Sequence, residues 1–494
     1  MADPRQLARH PQTPPMMRVP LEVWLMIALI CGTNSLMSLR LACRHFRFVV
    51  TGVIHMNKIL CTVPRLESLD FIKSTLGALT AQNVRMKPGY ISRPRDLMDV
   101  FTGLGIKFLN LSGCLWVSDV DFLAGLKVLD LSHCTKVVDV SALGGVRSLN
   151  LSGCTGVVDV SALGSVHTLK LKWCVKVADV SPLGGVHTLD LSNCNVVDVS
   201  ALGGVHDLNL SGCCRVVEVG ALGGVHSLNL KWCRGLVDVG ALGRVHTLNL
   251  SDCQQLADVG ALGGVHNLDL SGCVEVVDVS ALGGVHSLDL IYCCQVTDVS
   301  ALGGVHELNL SGCAGVVDVS ALGRVHSLKL AGCNNIVDVG ALGNVHTLSL
   351  SGCVGVVDVS ALGGVHNLDL SGCCNVADVS ALGSVYTLSL IYCDKVVDVS
   401  ALGGVHSLNL IYCCQVTDVS ALGGVHDLNL SYCNVVDVSA LGGVHDLNLS
   451  YCYHVNDVSA LGNVHTLDLS RCFNVVDVSA LGNVHSLIRE VHFV

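Results

Sequence analysis

The feature that most constrains the fold of this chain is a 20-residue sequence repeat that recurs almost unchanged from residue 106 onward. The segment 146–165 reads VRSLNLSGCTGVVDVSALGS, and nearly the same letters begin again at Val166. There are 19 complete units and a partial unit that starts at Val484. Such a period predicts a solenoid, in which each unit packs only on its neighbours and the core grows along a line.

The consensus V-x-x-L-x-L-x-x-C-x-x-V-x-D-V-x-x-L-G gives each position a role. The L-x-L core alternates with period two, which predicts a short strand with its leucines on one face. One strand per unit, without room for a long helix, predicts coils stacked into a parallel sheet at about 4.8 Å per coil. The Leu-Gly pair is predicted to turn the chain back. Units starting at Val186 and Val425 lack one residue just after the cysteine, which indicates a loop there that tolerates deletion.

Composition narrows the class of protein. Hydrophobic residues make up 51% of the chain but aromatic residues only 4%, so the core is predicted to consist of Leu, Val and Ala. Residues 1–105 carry 13 basic and 6 acidic side chains, whereas the rest carries 16 and 34. Nucleic-acid binding by the acidic repeats is therefore not expected. No stretch reaches the roughly 18–20 apolar residues of a membrane span, and we expect a cytoplasmic or nuclear protein without membrane attachment.

The repeat text resembles the leucine-rich-repeat family, in a short form with Cys at a position often held by Asn. The resemblance covers about four-fifths of the chain. It implies an α/β repeat: an arc-shaped solenoid whose parallel strands line the concave side. The near-identity of the units is similar to recently expanded repeats in proteins of large DNA viruses or protists.

Cysteine stands at the ninth position of every complete unit, from Cys114 to Cys472. Zinc sites require clustered ligands such as CxxC, which are absent from the sequence. Disulfides between stacked coils are compatible with the spacing, but parallel inward thiols favour buried packing residues. We therefore predict no metal and no cofactor at this row.

An acidic residue precedes the second valine of every complete unit, as Asp in all but Glu218. The Gly-rich nonapeptide typical of calcium β-solenoids is absent. The context D-V-S-A-L instead indicates a carboxylate that accepts N–H groups two and three residues further on.

Histidine follows the first valine in 15 complete units and in the partial one, with Tyr386 interrupting the row. Metal binding by neighbouring rings is one interpretation. Without a carboxylate or cysteine in the same row, a plain surface row is favoured. We predict that the solenoid loses stability as the pH falls through the imidazole range.

Positions within a unit are counted from its first valine. Positions three, five, seven and eight surround the L-x-L strand, and their side chains are predicted to point outward. Most hold small polar residues, and the exceptions are candidates for binding a target protein, since exposed aromatic residues anchor interfaces. A competing interpretation is that duplication copied one tyrosine, since 286–305 and 406–425 differ only at residues 289 and 409. The candidates are Lys170, Lys172, Trp173, Lys231, Trp232, Tyr292, Tyr392, Tyr412, Tyr432 and Tyr451.

The N-terminal part differs from the repeats. Residues 1–17 are predicted to be a flexible tail, 18–55 a helical module, 56–105 a linker and N-terminal cap, and 106–494 the solenoid. The module has apolar residues at helical spacing on both sides of a Gly-Thr-Asn-Ser break. Leu66, Leu69 and Phe71 have the spacing of a degenerate repeat strand.

The segment from Val19 to Val50 resembles an F-box, with Pro-Leu-Glu-Val at its start and Ala-Cys-Arg-His-Phe-Arg near its end. An F-box before leucine-rich repeats is the order found in F-box/leucine-rich-repeat proteins. The resemblance implies a substrate receptor that docks a Skp-family adaptor of a cullin–RING ubiquitin ligase while the repeats select the target. The implied adaptor contacts are Pro20, Leu21, Val23, Ile27, Leu36, Cys43 and Phe46.

Two other functions remain open. The chain can be a non-catalytic interaction scaffold whose F-box-like segment only caps the solenoid. An enzyme is the least favoured class, because no nucleophile–base pair, phosphate loop or metal-spaced cluster stands apart from the repeats.

Overall fold

The computed structural model describes residues 107–489 together with two short strands at 59–60 and 84–85. The chain divides into two compact units, residues 1–190 and 191–494. Each unit is a stack of short parallel strands joined by tight turns, one strand per coil.

The strands of complete coils are three residues long and are centred on the first leucine of the L-x-L core, so they begin and end one residue earlier than the pattern predicts. The first unit has β1 (Ile59–Leu60), β2 (Val84–Arg85), β3 (Phe108–Asn110), β4 (Val128–Asp130), β5 (Ser148–Asn150), β6 (Thr168–Lys170) and β7 (Thr188–Asp190). The second has β8 (Asp207–Asn209), β9 (Ser227–Asn229), β10 (Thr247–Asn249), β11 (Asn267–Asp269), β12 (Ser287–Asp289), β13 (Glu307–Asn309), β14 (Ser327–Lys329), β15 (Thr347–Ser349), β16 (Asn367–Asp369), β17 (Thr387–Ser389), β18 (Ser407–Asn409), β19 (Asp427–Asn429), β20 (Asp446–Asn448), β21 (Thr466–Asp468) and β22 (Ser486–Ile488).

Neighbouring strands pair in parallel with equivalent repeat positions side by side. Leu248 of β10, for example, is the register partner of Leu228 on one side and of Leu268 on the other. A shift by one residue would turn every leucine to the solvent, so burial of one face fixes this register. The predicted leucine-rich-repeat solenoid with a parallel sheet is confirmed within each unit.

The helical part of each coil is shorter than the predicted α/β class implies. In the described residues every helix is a 3₁₀-helix of three or five residues, since the D-V-S-A-L-G segment has no room for an α-helix. They span Asp121–Leu123, Ser141–Leu143, Ser161–Ser165 and Ser181–Gly185 in the first unit. In the second they span Ser200–Gly204, Gly220–Gly224, Gly240–Leu242, Gly260–Gly264, Ser280–Gly284, Ser300–Gly304, Ser320–Leu322, Gly340–Asn344, Ser360–Gly364, Ser380–Leu382, Ser400–Gly404, Ser420–Gly424, Ser439–Gly443, Ser459–Asn463 and Ser479–Asn483. None of the described helices is long and apolar enough to cross a membrane.

Between the first and last complete coils, each coil buries seven consensus side chains. In the coil that begins at Val146 these are Val146, Leu149, Leu151, Cys154, Val157, Val160 and Leu163, each at most 1% exposed. No ring takes part in this core, as the composition predicts. Burial of a Leu or Val side chain contributes about 1.5–3 kcal/mol, so the stacked coils are held together mainly by this apolar interior.

The loop predicted to tolerate deletion does so. In the 19-residue coil that begins at Val425, the turn just after the cysteine is missing while the strand and the 3₁₀-helix are kept. Asn434 fills the shortened loop and donates a side-chain hydrogen bond to the carbonyl oxygen of Cys414 at 2.8 Å.

Two strands precede the first complete coil and belong to longer coils. Ile59 pairs with Val84, and Val84 pairs with Leu109, so consecutive strands lie 25 residues apart here. The proposed strand around Leu66, Leu69 and Phe71 lies outside the described residues, as do the tail and the F-box-like module.

Candidate protein-interaction surface

The turn in front of the buried cysteine decides which side chains each coil displays. In most coils position five is Asn or Asp, and its side-chain oxygen accepts the backbone N–H of position seven, as Asn429 does from Ser431 at 3.0 Å. This turn, typical of Asn and Asp, favours a left-handed conformation at position eight. All 19 residues at position eight have positive φ: eight are glycines at 71–75° and eleven are not, at 58–62°.

Left-handed backbone costs a residue with a Cβ about 1–2 kcal/mol. The aromatic candidates found in the sequence occupy this position. Trp173, Trp232, Tyr292, Tyr392, Tyr412, Tyr432 and Tyr451 all have φ near 60°. A large side chain at a position suited to glycine is a form of local strain that occurs at functional sites.

Four of the tyrosines form one continuous stack on successive coils. The ring centroids of Tyr392 and Tyr412 lie 4.6 Å apart, those of Tyr412 and Tyr432 4.2 Å, and those of Tyr432 and Tyr451 4.2 Å. The rings are within 16° of parallel. Hydroxyl groups meet along the stack, and the pKa of Tyr432 is raised by desolvation and then by hydrogen bonds with Tyr451 and Tyr412.

Two aromatic residues that the sequence analysis missed extend this stack. The ring of Tyr453 meets Tyr451 edge-on at 6.3 Å, and Phe473 lies 6.2 Å from Tyr453. Both are exposed. They occupy position ten, one residue beyond the cysteine, where only the tertiary structure shows their proximity to the tyrosines. We call these six residues the tyrosine face: Tyr392, Tyr412, Tyr432, Tyr451, Tyr453 and Phe473.

The remaining target-binding candidates are not part of this face; all are exposed except Lys231, which is half-buried. Lys170, Lys172 and Trp173 lie in the first unit. In the second unit, the Lys231 ammonium lies 4.9 Å from the ring centre of Trp232 and 3.5 Å from Asp252 Oδ2. Tyr292 is 64% exposed. Its ring leans over Gly312 of the next coil, where there is no aromatic partner.

A shallow acidic groove lies beside the tyrosine face. It encloses about 370 Å³ and is lined in part by Asp427, Asp446 and Asp468. Asn409, Asn429 and Asn448 also line it, and each accepts the N–H of the residue just before a tyrosine of the stack. The amides thus connect the groove to the stack through the same turns.

The cysteine row is structural, as predicted. The thiol of Cys353 donates to the carbonyl oxygen of Leu330 in the preceding coil at 3.0 Å, and its equivalents do the same. Burial raises the pKa of Cys353 to about 12. Such a thiol is neither a nucleophile nor a metal ligand at neutral pH.

The aspartate row forms one of the two predicted bonds. Asp139 accepts the N–H of Ser141, two residues on, at 2.9 Å, and the equivalent bond is present at every Asp of the row. Hydrogen bonds from the Ser141 side chain and backbone lower the pKa of the Asp139 carboxyl.

The histidine row is a stack of exposed rings. Centroids of neighbouring rings from His206 to His366 lie 4.6–4.7 Å apart. The pKa values of His246 and His346 are lowered, first by desolvation and then by the neighbouring imidazoles.

The prediction of a plain surface row overlooks carboxylates that lie beside it at several coils. The residue after the histidine is an aspartate there, and its carboxylate reaches the ring. Asp427 Oδ1 lies 2.7 Å from Nδ1 of His426, and Asp446 Oδ2 lies 3.3 Å from Nδ1 of His445. Hydrogen bonding to Thr466 and to His445 lowers the pKa of Asp446.

The adaptor-contact residues inferred from the F-box resemblance lie outside the described residues. Their role remains a prediction from sequence.

Comparisons with known proteins give matches among solved structures alone. No protein-family model and no curated protein matches it. Among solved structures, an internalin (inlF) of Listeria monocytogenes matches with 17% identity over 80% of this chain and 97% of its own, at a TM-score of 0.39. The functional domain of InlJ from the same species, described as including a cysteine ladder, matches with 16% identity over 67% and 74%, at 0.38. An LRR protein of Leptospira interrogans matches with 17% identity over 74% and 94%, at 0.44. These values are too low to carry a partner or a reaction over to this chain.

Proposed function

We propose that the repeats bind a protein partner through the tyrosine face. The observation that carries this proposal is that four successive coils place tyrosine, rather than glycine, at a left-handed position and stack the rings, with Tyr392 exposed and the other three half-buried. Stacking contributes about 0.5–1.5 kcal/mol per aromatic pair, which offsets the backbone cost. The result is a rigid aromatic surface, and rigid tyrosines are frequent anchors of protein interfaces.

The acidic groove defines the chemistry of the partner. Three carboxylates and three amides line it next to the stack. A segment with lysine or arginine side chains fits this arrangement, because the carboxylates attract the charge and tyrosine rings accept cations on their faces.

Replacement of Tyr392, Tyr412, Tyr432 and Tyr451 by glycine tests the proposal. Glycine is the relaxed residue at these positions, so the variant keeps its fold while it loses the rings. We expect proteins captured by the wild-type chain and quantified by mass spectrometry to be lost with this variant. The matched control is Tyr386→His, which removes an exposed tyrosine from the histidine row and is expected to retain them. Unchanged capture by the four-tyrosine variant would show that duplication alone explains the stack.

We further propose that the chain is a substrate receptor of a cullin–RING ubiquitin ligase. What supports this is the F-box resemblance of residues 18–55, which precedes a repeat domain suited to protein binding. In this function the segment docks a Skp-family adaptor, the repeats hold the target, and the chain itself performs no catalysis. A cytoplasmic or nuclear location accords with this assignment.

Co-purification with a recombinant Skp-family adaptor tests this assignment. We expect recovery of the adaptor with the wild-type chain and its loss after Pro20→Ala and Ile27→Ala are combined. The variant without the four stacked tyrosines serves as a control, since it should still bind the adaptor. Failure of the wild-type chain to recover the adaptor favours the alternative of an interaction scaffold whose N-terminal segment is a cap.

A further inference from the structure

Three histidines and two aspartates on successive coils form a compact cluster of metal-ligating groups. His406, His426 and His445 belong to the histidine row, and Asp427 and Asp446 are the residues that follow two of them. All five lie at the start of β18, β19 and β20. We refer to them as the histidine–aspartate group.

The backbone holds this group in place. The carbonyl oxygen of His406 accepts the N–H groups of both His426 and Asp427 at 3.0 Å, and that of His426 does the same for His445 and Asp446. The rings of His406 and His426 are stacked at 4.7 Å, and those of His426 and His445 at 4.5 Å. The positions of the rings therefore follow from the parallel pairing of the strands.

The donor atoms converge in two overlapping sets. One nitrogen each from His406 and His426 and one oxygen of Asp427 lie within 4.8 Å of one another. The same holds for His426, His445 and Asp446. In a tetrahedral zinc site with ligands at about 2.0–2.2 Å, donor atoms lie roughly 3.4 Å apart. Small rotations of these half-exposed side chains bring either set to that separation.

The two carboxylates supply a second argument for a cation. Asp427 and Asp446 are direct register partners on neighbouring strands. Like charges in register destabilise a sheet. A divalent cation between the strands removes this repulsion, and the acidic character of the repeats favours its approach.

We propose that the histidine–aspartate group binds one divalent transition-metal ion of the zinc type. Two imidazole nitrogens and a carboxylate oxygen form a donor set suited to zinc, with water completing the coordination. Because His426 belongs to both sets, the group holds a single ion. The aspartate that is not a ligand orients its histidine, as carboxylates commonly do next to metal-bound imidazoles.

The rest of the row provides matched controls. His246 is stacked like His426 but is followed by Thr247, so it has no carboxylate beside it. Glu307 stands at the same repeat position as Asp427, yet it belongs to no such group of ligands among the described residues. Its carboxylate instead accepts a hydrogen bond from Ser287 at 3.2 Å.

The test is a calorimetric titration of Zn²⁺ into the untagged full-length chain, at a pH where imidazole is neutral. The exposed thiols of Cys214, Cys294 and Cys374 are first alkylated so that they do not compete. We expect a high-affinity site at this group, weakened at least about tenfold by Asp427→Asn combined with Asp446→Asn, and likewise by His426→Gln. His246→Gln and Glu307→Gln should leave that site unchanged.

Two results would overturn the proposal. One is a wild-type isotherm without a distinct tight site, and the other is an equal loss of affinity in His246→Gln and His426→Gln, which indicates unspecific binding along the row. Far-ultraviolet circular dichroism of each variant checks the fold. The absorption spectrum of Co²⁺ bound in place of Zn²⁺ gives an independent readout, since tetrahedral coordination by these ligands is expected only when at least one of the two aspartates is present.

Discussion

Two turns of each coil favour glycine for different reasons, and they differ in how often glycine is replaced there. One is the corner after the buried leucine, and the other is the turn before the cysteine. At the corner after the buried leucine, a Cβ on Gly343 would collide with the backbone carbonyl oxygen of Ala361 in the next coil. In the turn before the cysteine, Gly332 has φ of 73°, yet a Cβ there would meet nothing within 4 Å. Glycine is nearly constant at the corner and is replaced in eleven of 19 coils at the cysteine turn. Contact with the neighbouring coil therefore restricts the sequence more than backbone conformation does.

The first complete coil shows how the corner changes when glycine is absent. Ala124 takes the place of the corner glycine and adopts an extended conformation, with ψ of 135°. Gly125 then follows with φ of 92°. The turn at the corner is therefore made by Gly125 instead of residue 124. In this arrangement the Cβ of Ala124 avoids a collision with the backbone of the next coil.

The largest expected effect concerns two adjacent cysteines, one buried against the preceding coil and one exposed to solvent. Burial raises the pKa of Cys373 to about 12, whereas Cys374 is exposed. At mildly alkaline pH we expect iodoacetamide to modify Cys374 at least about a thousandfold faster, because the thiolate is the reactive form. Peptide mapping over time measures both rates. Comparable rates in the native chain would mean that the coils open far more often than their packing implies.

The glycines of the two turns give the next largest effect. We expect Gly343→Ala to lower the free energy of unfolding by about 3 kcal/mol, since the collision involves backbone atoms that cannot move aside. Gly332→Ala, in the same coil, should cost only about 1 kcal/mol for its left-handed backbone. Urea unfolding of both variants measures the difference. Equal losses would contradict the distinction drawn between the turns.

A gain in stability is expected from Tyr292→Gly. This tyrosine has φ of 58° and no stacking partner, so glycine relieves about 1 kcal/mol of backbone cost. The same change at Tyr432 should be nearly neutral, because it also removes two stacking contacts. Melting temperatures of the two variants rank them, and destabilisation by Tyr292→Gly would show that the left-handed turn is not strained.

The smallest expected effect is the pH dependence of the histidine row. The folded-state pKa values of His246 and His346 are lowered from 6.5. The unfolded chain therefore binds more protons below that pH, and stability falls as the pH drops through the lowered pKa values. The aspartate row does not contribute in this range, because hydrogen bonding lowers the pKa of carboxyls such as that of Asp139 further below it.

The measurement is the melting temperature between about pH 8 and about pH 5, with a chelator present. We expect a modest decrease that becomes smaller when His246 and His346 are both replaced by glutamine. A melting temperature that does not change with pH would show that protonation of the row is accommodated by solvent.

The repeat sequence alone predicts the solenoid, its parallel sheet and the buried leucines, valines and cysteines of its core. It also predicts the structural role of the cysteine and aspartate rows. These follow from the sequence because a strict period and a strict apolar pattern leave only one way to bury the leucines. The text also pointed to the stacked tyrosines, because they interrupt an otherwise uniform row.

Only the tertiary structure decided which residues from different coils meet. Phe473 joins the tyrosine face through Tyr453, and Asp427 approaches His406, by contacts between residues about 20 positions apart in sequence. The left-handed backbone at position eight was equally hidden, since glycine occupies fewer than half of those positions. The stacking of coils sets the distances between these side chains, because parallel strand pairing places equivalent residues of successive coils side by side.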